Sequence, residues 1–265
     1  MRGAEKGSWL DGVEGVVLDL DGVVYRGDAP IPGAVDKIAE LRRRGVRVAF
    51  CTNNSRATVA QYLEKLAGLG VDAAPEQIVT SAVVTGEVLA ARDRYRTAFV
   101  IGGEGVREAV SNAGIALVEG AAGEAAELVA VGWDPAFDYA ALRIGTQAIL
   151  GGAAFVATND DATFPAEGGR LWPGAGPIVA ALEFATKNRA EVMGKPHRPM
   201  MEAAAARLAP AARIAVVGDR PDTDLAGAQI MGWPSVLVLS GVTGRGEARR
   251  VHPAPDRVIE SLADL

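Results

Sequence analysis

The sequence predicts an α/β fold in which a doubly wound parallel sheet forms the core and a smaller α/β domain is inserted into it. Apolar runs of about five residues alternate with longer segments of helical period, as they do where helices cover both faces of a parallel sheet. With 265 residues, the chain is long enough for a core and a smaller second domain.

The elements of the core come from the two ends of the sequence. Strands are indicated by short apolar runs, and helices by apolar residues spaced three or four apart. In the first part we predict a strand at 15–20, a helix at 33–44 that Gly45 ends, a strand at 46–51 and a helix at 57–67. In the last part we predict strands at 213–217 and 235–239 around a helix at 223–231.

The middle of the chain has its own alternation and predicts the inserted domain. It contains predicted strands at 97–101, 128–131 and 154–157, with helices at 105–113 and 139–150. We assign residues 1–81 and 182–265 to the core and residues 82–181 to the insertion. No Ser/Gly-rich linker marks either boundary, so a single extended doubly wound sheet is the alternative.

Composition excludes several classes of protein. The net charge of −6 and the pI near 5.1 leave no basic footprint for nucleic acid. No apolar run approaches the ~20 residues that cross a bilayer, and the N-terminus lacks the apolar region of a signal peptide, so we expect a cytoplasmic protein. The single cysteine, Cys51, excludes an internal disulfide and is expected in the core.

Two carboxylates end the first predicted strand. Asp19 and Asp21 are two positions apart and precede Gly22, and side chains alternate along a strand, so both leave it on the same side. Anions held that close repel each other unless a divalent cation lies between them or one carboxyl takes a proton. The alternative is a turn with two solvated aspartates.

Three further polar clusters follow predicted strands. Thr52, Asn53 and Asn54 offer a hydroxyl, amides and backbone N–H groups that suit an oxyanion, although an ordinary helix N-cap has the same composition. Lys195 lies between a glycine and a proline after a short apolar segment; most lysines are solvated surface charges, but few are followed by proline at the end of a buried strand. Asp219 follows another strand.

The helix after Asp219 opens with further acids, among them Asp224, and acids in a first helical turn often only complement the helix dipole. All these clusters nevertheless lie at the carboxyl ends of strands, which is where open parallel sheets bind ligands. A strand-end aspartate in a sheet that already ends in Asp19 and Asp21 indicates a metal site.

The order of these motifs resembles the haloacid dehalogenase superfamily. The sequences of the motifs are most similar to those of the subgroup of NagD-type, para-nitrophenyl phosphate and phosphoglycolate phosphatases, which carry a class IIA cap. The resemblance covers almost the whole chain and rests on DLDGVVY, TNNSR, ATNxD, PGAG, GKP and GDRxxTD. It implies a Rossmann-like core with the cap inserted between Thr52 and Lys195. The segment between these two residues is long enough to hold a cap domain, whereas the segment between Asp21 and Thr52 is too short for one.

The resemblance also implies an activity, which is Mg²⁺-dependent hydrolysis of small phosphomonoesters through an aspartyl-phosphate. Asp19 would be the nucleophile, and Asp21 would be the general acid and base. The substrate would be bound by Thr52, Asn53, Asn54 and Lys195. Thr52 and Lys195 would also take part in catalysis. The substrate could be a sugar phosphate, phosphoglycolate, glycerol phosphate or a nucleotide.

The implied cofactor is Mg²⁺, which prefers oxygen ligands. Its ligands would be the carboxylates of Asp19 and Asp219 and the backbone carbonyl of Asp21. Asp224 would support a metal-bound water. The implied partners are a small phosphorylated metabolite and, through the cap, a second copy of the chain.

In the cap, Phe164 stands where relatives that act on pyridoxal phosphate carry a histidine, which predicts a different and more apolar substrate contact. Trp133 and Trp172 are candidates for the pocket wall, although aromatic residues are more often core. Arg56 is expected as a surface charge on the following helix, the alternative being a contact with the organic part of the substrate. His197 is expected as a solvated loop residue, the alternative being a position at the rim of the site.

Two other functions are considered. A phosphotransferase or mutase would bind a second phosphorylated sugar, but mutases of this superfamily typically carry their cap between the first two motifs. A non-catalytic protein that binds a phosphorylated metabolite would be indicated by the loss of a catalytic motif, and all of the motifs are present in this sequence.

Overall fold

A computed structural model describes residues 9–166 and 170–265. In the described part, the strands in chain order are β1 (Gly15–Leu18), β2 (Tyr25–Arg26), β3 (Ala29–Pro30), β4 (Arg47–Thr52), β5 (Ile78–Thr80), β6 (Thr97–Ile101), β7 (Ala116–Leu117), β8 (Leu128–Val131), β9 (Ala154–Ala157), β10 (Thr163–Ala166), β11 (Arg170–Pro173), β12 (Glu191–Val192), β13 (Ile214–Gly218), β14 (Ser235–Val238) and β15 (Arg257–Ile259). The α-helices are α1 (Ala34–Arg43), α2 (Val59–Gly68), α3 (Ser81–Arg92), α4 (Glu104–Asn112), α5 (Tyr139–Leu150), α6 (Gly176–Thr186), α7 (Arg198–Leu208) and α8 (Ala226–Met231).

The larger sheet is the predicted core. Its six strands are all parallel, in the order β15-β14-β13-β1-β4-β5. The central strands β1, β13 and β14 are buried along their whole length, as expected for a parallel sheet covered on both faces. The predicted α/β class and the Rossmann-like core are confirmed.

The second sheet comes from the middle of the chain and is also parallel, in the order β12-β9-β8-β6-β7. Because side chains alternate along a strand, β6 directs Phe99 and Ile101 towards a cluster with α5 and α6. Ala98 and Val100 point to the other face, where the apolar cluster continues into the larger sheet through Val17. The second sheet is therefore packed onto the core through one of its faces.

The contacts of the second sheet extend beyond residue 181, the predicted end of the insertion. Leu182 of α6 is fully buried in the apolar cluster of that sheet, and β12 pairs with β9. Met193 N donates to Ala157 O at 2.9 Å. We therefore propose that the inserted domain ends near Val192. The short apolar segment before Lys195 was expected to be a strand, but two residues are too few for a pattern that predicts its pairing with β9.

Two local features differ from the predicted elements near the sheet edge. β1 ends at Leu18 because the carbonyl of Leu20 accepts hydrogen bonds from the N–H groups of Val23, Val24 and Tyr25, which closes a turn. The helix predicted to begin at residue 223 is preceded by a π-helical turn at Pro221–Leu225. Within the described residues, no helix has both the length and the apolar character needed to cross a bilayer.

Candidate active site

The predicted site residues meet at the carboxyl edge of the larger sheet. β1 pairs with β13 on one side and with β4 on the other, so Asp19, Asp219 and Thr52 lie at neighbouring strand ends. Lys195 comes from the second sheet instead, because it lies three residues after β12. It is only 3% exposed. The site is thus assembled from both sheets.

The ammonium of Lys195 lies between two carboxylates. Its Nζ is 2.6 Å from Asp19 Oδ1 and 2.6 Å from Asp224 Oδ1, and it donates to Cys51 O at 3.2 Å. Burial alone would lower the pKa of Lys195, but the charges of Asp19 and Asp224 outweigh this effect and raise that pKa well above its usual value. Lys195 is therefore a permanent cation, not a surface charge.

The backbone of Lys195 is held by the side chain of Asn53. Asn53 Oδ1 accepts from Lys195 N at 2.7 Å, and Asn53 Nδ2 donates to Lys195 O at 2.9 Å. A Cβ at position 194 would lie 2.6 Å from Asn53 Oδ1, so this close approach requires Gly194. The Asn53 amide, predicted as a substrate donor, is thus occupied in holding Lys195.

Three buried carboxylates face one another beside this lysine. Oxygen atoms of Asp19, Asp219 and Asp224 lie within 4.8 Å of each other. Burial, joined by the charge of Asp224, raises the pKa of Asp219 to about 7. Burial likewise raises the pKa of Asp19, while Lys195 opposes the rise. When all three carboxyls are ionised, the cluster carries more negative charge than one ammonium neutralises.

This cluster fits a divalent cation. The donors are all oxygens, which hard cations prefer, and a cation would offset the repulsion among buried carboxylates. Glycine backbone closes around Asp219, whose Oδ2 accepts from Val242 N at 2.6 Å. A Cβ at Gly241 would lie 1.9 Å from that oxygen. Of the predicted ligands, the structure gathers Asp19 and Asp219 and adds Asp224; the backbone carbonyl of Asp21 stays a prediction.

Asp224 has both oxygens occupied by protein donors. Oδ1 accepts from Lys195 Nζ, and Oδ2 accepts from Arg220 N at 3.1 Å, which closes the π-helical turn. A Cβ at Gly218 would lie 2.2 Å from the Asp224 carboxyl carbon. This arrangement suits the predicted supporting role, which stays a prediction.

Asp21 borders the same cavity from a more open position. Desolvation by its surroundings raises the pKa of its carboxyl, although Lys65 and Arg26 lower it. A carboxyl with a raised pKa holds a proton more readily near neutral pH, as a general acid must. Asp21 differs from Asp19 and Asp224 in making no hydrogen bond to Lys195.

The loop after β4 is not the start of a helix. Thr52 Oγ1 accepts from Asn54 N at 3.2 Å, and Asn54 Oδ1 accepts from Arg56 N at 3.0 Å. The N-cap of α2 is Thr58, in a reciprocal capping box with Gln61. No helix therefore begins at Thr52, Asn53 or Asn54, and none of these residues is an N-cap. Hydrogen bonds between side chains and nearby backbone N–H groups organise the loop.

A cavity of about 150 Å³ lies over these groups, and loops of the second sheet form part of its wall. Phe164 and Trp133 line it, with their ring centroids 4.9 Å apart in an edge-to-face contact. Phe164 is thus placed where the sequence predicted a substrate contact. Trp172 packs against Phe164 at 6.3 Å but is 45% exposed, so it is not a core residue.

The cavity also contains residues that the sequence analysis quoted only within the family motifs, without assigning them a role in the site. Asn159 and Asp161 follow β9, and Arg220 follows Asp219. Asp161 Oδ1 accepts from Asn53 Nδ2 at 3.3 Å and Oδ2 accepts from Asn159 Nδ2 at 2.9 Å. The signal was available, since both loops follow the carboxyl ends of parallel strands.

Arg56 and His197 are at the periphery. The guanidinium of Arg56 lies 5.3 Å from the centroid of the Trp133 ring, and the residue is exposed. His197 Nε2 is 3.8 Å from Asp160 Oδ2, with the histidine side chain 42% exposed. Neither residue lines the 150 Å³ cavity described above.

Comparison with known proteins agrees with this architecture. Residues 16–116 match the family model of haloacid dehalogenase-like hydrolases, and residues 192–265 match a second model of HAD-like hydrolases. The 5′-nucleotidase YutF of Bacillus subtilis is 34% identical over 252 residues, which are 95% of this chain and 96% of that protein.

Two solved structures are closely similar. The p-nitrophenyl phosphatase from Archaeoglobus fulgidus superposes with a TM-score of 0.88 at 33% identity, covering 95% of this chain and 97% of that one. The glycerol phosphate phosphatase Rv1692 from Mycobacterium tuberculosis, in complex with magnesium, gives a TM-score of 0.86 at 34% identity, with 95% and 75% covered.

Fold and site together define a hydrolase built on a parallel α/β core with an acidic, lysine-containing centre. The chain belongs to the haloacid dehalogenase-like hydrolases. The predicted subgroup, that of the NagD-like and para-nitrophenyl phosphatases, is confirmed by these relatives, and so is the predicted enzyme class, a phosphoric monoester hydrolase.

Proposed function

We propose that the chain hydrolyses small phosphomonoesters in a Mg²⁺-dependent reaction that passes through a phosphorylated Asp19. The observation that carries the proposal is the buried contact of Lys195 with Asp19 and Asp224, next to the third carboxylate of Asp219. Relatives named for a nucleotide, for p-nitrophenyl phosphate and for glycerol phosphate support a small phosphorylated substrate.

Asp19 would act as the nucleophile. It follows β1 at the base of the cavity, and its Oδ1 is fixed by Lys195 Nζ at 2.6 Å. A fixed position reduces the entropy lost when the carboxylate oxygen approaches phosphorus. The second oxygen of Asp19 would form the P–O bond as the ester oxygen departs.

Asp21 would transfer the protons. The departing ester oxygen takes a proton from the Asp21 carboxyl, whose raised pKa suits this donation. Asp21 then accepts a proton from the water that attacks phosphorus. That second attack breaks the bond to Asp19, releases inorganic phosphate and restores both carboxyl groups.

Lys195 supplies the positive charge that the protein itself contributes. It is fixed by its backbone through Asn53 and by its ammonium through two carboxylates, so it needs no reorganisation when negative charge develops on the phosphoryl oxygens. Thr52, at the end of the neighbouring strand, adds a hydroxyl to the wall of the cavity.

The cation would be held by the carboxylates of Asp19 and Asp219, with the Asp21 carbonyl as the further protein ligand. When bound, Mg²⁺ supplies Lewis-acid charge that allows an anionic carboxylate to approach a phosphate dianion. Asp224, which is bonded to Lys195 and to the Arg220 backbone, would hold the surrounding hydrogen bonds in place.

The test is phosphate release from p-nitrophenyl phosphate, glycerol 3-phosphate, phosphoglycolate and a nucleoside monophosphate, with Mg²⁺ or with EDTA. We expect turnover that requires Mg²⁺ and that Asp19→Asn abolishes. Asp160→Asn is the matched control, because that half-exposed carboxyl does not line the cavity. Turnover by Asp19→Asn equal to the wild type would overturn the proposal.

A further inference from the structure

Ser81 places a buried hydroxyl beside the loop that follows β4. Thr52, the last residue of β4, lies opposite Thr80, the last residue of β5, in the register of the larger sheet. The residues that come next on the two strands, Asn53 and Ser81, are therefore neighbours. Ser81 is fully buried, and its Oγ donates to Asn53 O at 2.6 Å.

Capping of α3 does not require this hydroxyl. Ser81 is the first residue of α3, but the N-cap is Thr80, whose Oγ1 accepts from Val83 N at 3.0 Å. A hydroxyl at the start of a helix commonly bonds the N–H groups of its own first turn. The Ser81 hydroxyl instead bonds the loop that carries Thr52.

One peptide group connects Ser81 to Thr52. The carbonyl of Asn53 and the N–H of Asn54 belong to the same planar peptide and point in opposite directions. The carbonyl accepts from Ser81 Oγ, and the N–H donates to Thr52 Oγ1 at 3.2 Å. Because a carbonyl can only accept and an N–H can only donate, the direction of both hydrogen bonds is fixed. The chain of donors therefore runs from Ser81 through this peptide to Thr52.

This chain leaves the proton of the Thr52 hydroxyl for another acceptor. Thr52 lines the cavity of the site, and one acceptor position of its oxygen is taken by Asn54 N. The Thr52 side chain also bonds Tyr62, whose hydroxyl donates to Asn54 O at 3.4 Å. An anionic phosphoryl oxygen is a stronger acceptor than the phenol of Tyr62. Hydrogen bonds in a chain also polarise one another, which strengthens the last donor.

We propose that Ser81 is a positioning residue that holds the peptide between Asn53 and Asn54 and so directs the Thr52 hydroxyl towards a phosphoryl oxygen of the substrate. The inference rests on the proposed phosphatase function and adds a residue of α3 to the groups that act on the phosphoryl end of the ester. Loss of the Ser81 hydroxyl would allow the peptide to rotate and to turn its N–H away from Thr52. Because the phosphoryl group is common to all the esters, the effect should not depend on the leaving group.

A second route from Ser81 to the site runs through the side chain of Asn53. That side chain bonds the main chain of Lys195 through both Oδ1 and Nδ2. If Ser81 acted by this route, or only by packing in the core, the effect of its substitution would not depend on the Thr52 hydroxyl. A double-mutant cycle between Ser81 and Thr52 therefore separates these roles from the proposed one.

The experiment compares wild type with Ser81→Ala, Thr52→Val and the double variant. Thr85→Val is the matched control, because Thr85 is a second buried hydroxyl of α3 but donates within its own helix, to Ser81 O at 2.7 Å. The measured quantities are kcat/KM for p-nitrophenyl phosphate and for glycerol 3-phosphate, and the calorimetric Kd of inorganic phosphate with Mg²⁺, which requires no turnover.

Circular dichroism and thermal unfolding check that each variant is folded. If Ser81→Ala is not folded, Ser81→Cys is the second variant, since a thiol occupies a similar volume but is only a weak donor.

In Ser81→Ala we expect kcat/KM to fall about three- to tenfold for both esters, the effect of one hydrogen bond between neutral groups, and the Kd of phosphate to rise by a similar factor. Thr85→Val should match wild type. In the Thr52→Val background, Ser81→Ala should change the Kd by less than about twofold.

Three results would overturn the inference alone: no effect of Ser81→Ala, equal factors in the two backgrounds, or unequal losses on the two esters. If wild type cleaves no phosphomonoester, the proposed function fails and the inference fails with it.

Discussion

The side chain of Asn53 bonds both polar groups of the Lys195 main chain, accepting from its N–H at 2.7 Å and donating to its C=O at 2.9 Å. These two residues belong to different parts of the chain, the loop after β4 and the segment that returns from the second sheet. The pair therefore fixes where the Lys195 ammonium enters the acidic cluster.

Asn53→Ala should reduce both stability and activity. The substitution leaves buried N–H and C=O groups of Lys195 without partners, which costs about 2–4 kcal/mol of unfolding free energy in total. Because Lys195 is then less well placed, kcat should fall about 100-fold. Urea unfolding and phosphate release measure the two effects.

The control for this variant is Asn188→Ala. Asn188 is exposed and bonds Thr186 only through its backbone N–H, which the substitution retains. We expect wild-type stability and rate. If Asn53→Ala matched this control in both measurements, Asn53 would not position Lys195.

The stability of the metal-free protein should fall as pH rises from about 4 to about 7. Burial raises the pKa of Asp219 to about 7, so the folded state binds a proton over a range in which the unfolded state, with an ordinary aspartate pKa near ~3.9, is ionised. The loss is on the order of 4 kcal/mol at most, since one pKa unit corresponds to about 1.4 kcal/mol. Thermal unfolding in EDTA across this pH range measures it.

Mg²⁺ should reverse this trend. A cation binds the ionised carboxylates, so the increase in Tm on adding Mg²⁺ should grow with pH up to about 7, where Asp219 titrates. Asp219→Asn removes the titrating group and should flatten both curves. An increase in Tm that is independent of pH would count against metal binding at this cluster.

Asp21→Asn should slow the hydrolysis of different esters to different extents, depending on their leaving groups. General acid catalysis contributes about 10²–10⁴-fold, and an alkoxide leaving group needs the proton more than p-nitrophenolate does. Glycerol 3-phosphate should therefore lose more rate than p-nitrophenyl phosphate. With the second ester, slow release of phosphate from Asp19 should give an initial burst of nitrophenolate, and equal losses without a burst would exclude the acid–base role.

Gly241→Ala should weaken metal binding without contacting the metal. The added Cβ would lie 1.9 Å from Asp219 Oδ2, so that carboxylate would have to move. Displacing a ligand in this way should lower Mg²⁺ affinity about 10- to 100-fold, measured as the Mg²⁺ concentration for half-maximal activity. Gly244→Ala is the matched control, because no atom lies within 4 Å of a Cβ at that position; equal effects in both variants would contradict this account.

Much of the core was predictable because strand-end residues in a parallel sheet must converge. The apolar runs before Asp19 and Thr52 located β1 and β4 closely, and β6, β8 and β9 begin and end where the sequence predicted. These strands are buried on both faces, so their composition alone distinguishes them from their surroundings.

The parts that were not predicted depend on long-range contacts. Lys195 enters the site after a two-residue strand, and the side chain of Asn53, a residue that lines the cavity, bonds the Lys195 backbone. Within the π-helical turn, the Asp224 side chain turns back to Lys195 and to the Arg220 N–H. Local periodicity carries no information on such contacts, and π-helical turns often occur at functional sites.

The central claim is that Asp19 becomes phosphorylated during turnover. The most direct measurement is mass spectrometry of Asp21→Asn, acid-quenched during turnover of p-nitrophenyl phosphate with Mg²⁺ and then digested. We expect a phosphoryl group on Asp19, labile to hydroxylamine, and absent when Asp19→Asn is added to the variant. Turnover by Asp21→Asn with no phosphoryl group on Asp19 at any time of quenching would contradict the account.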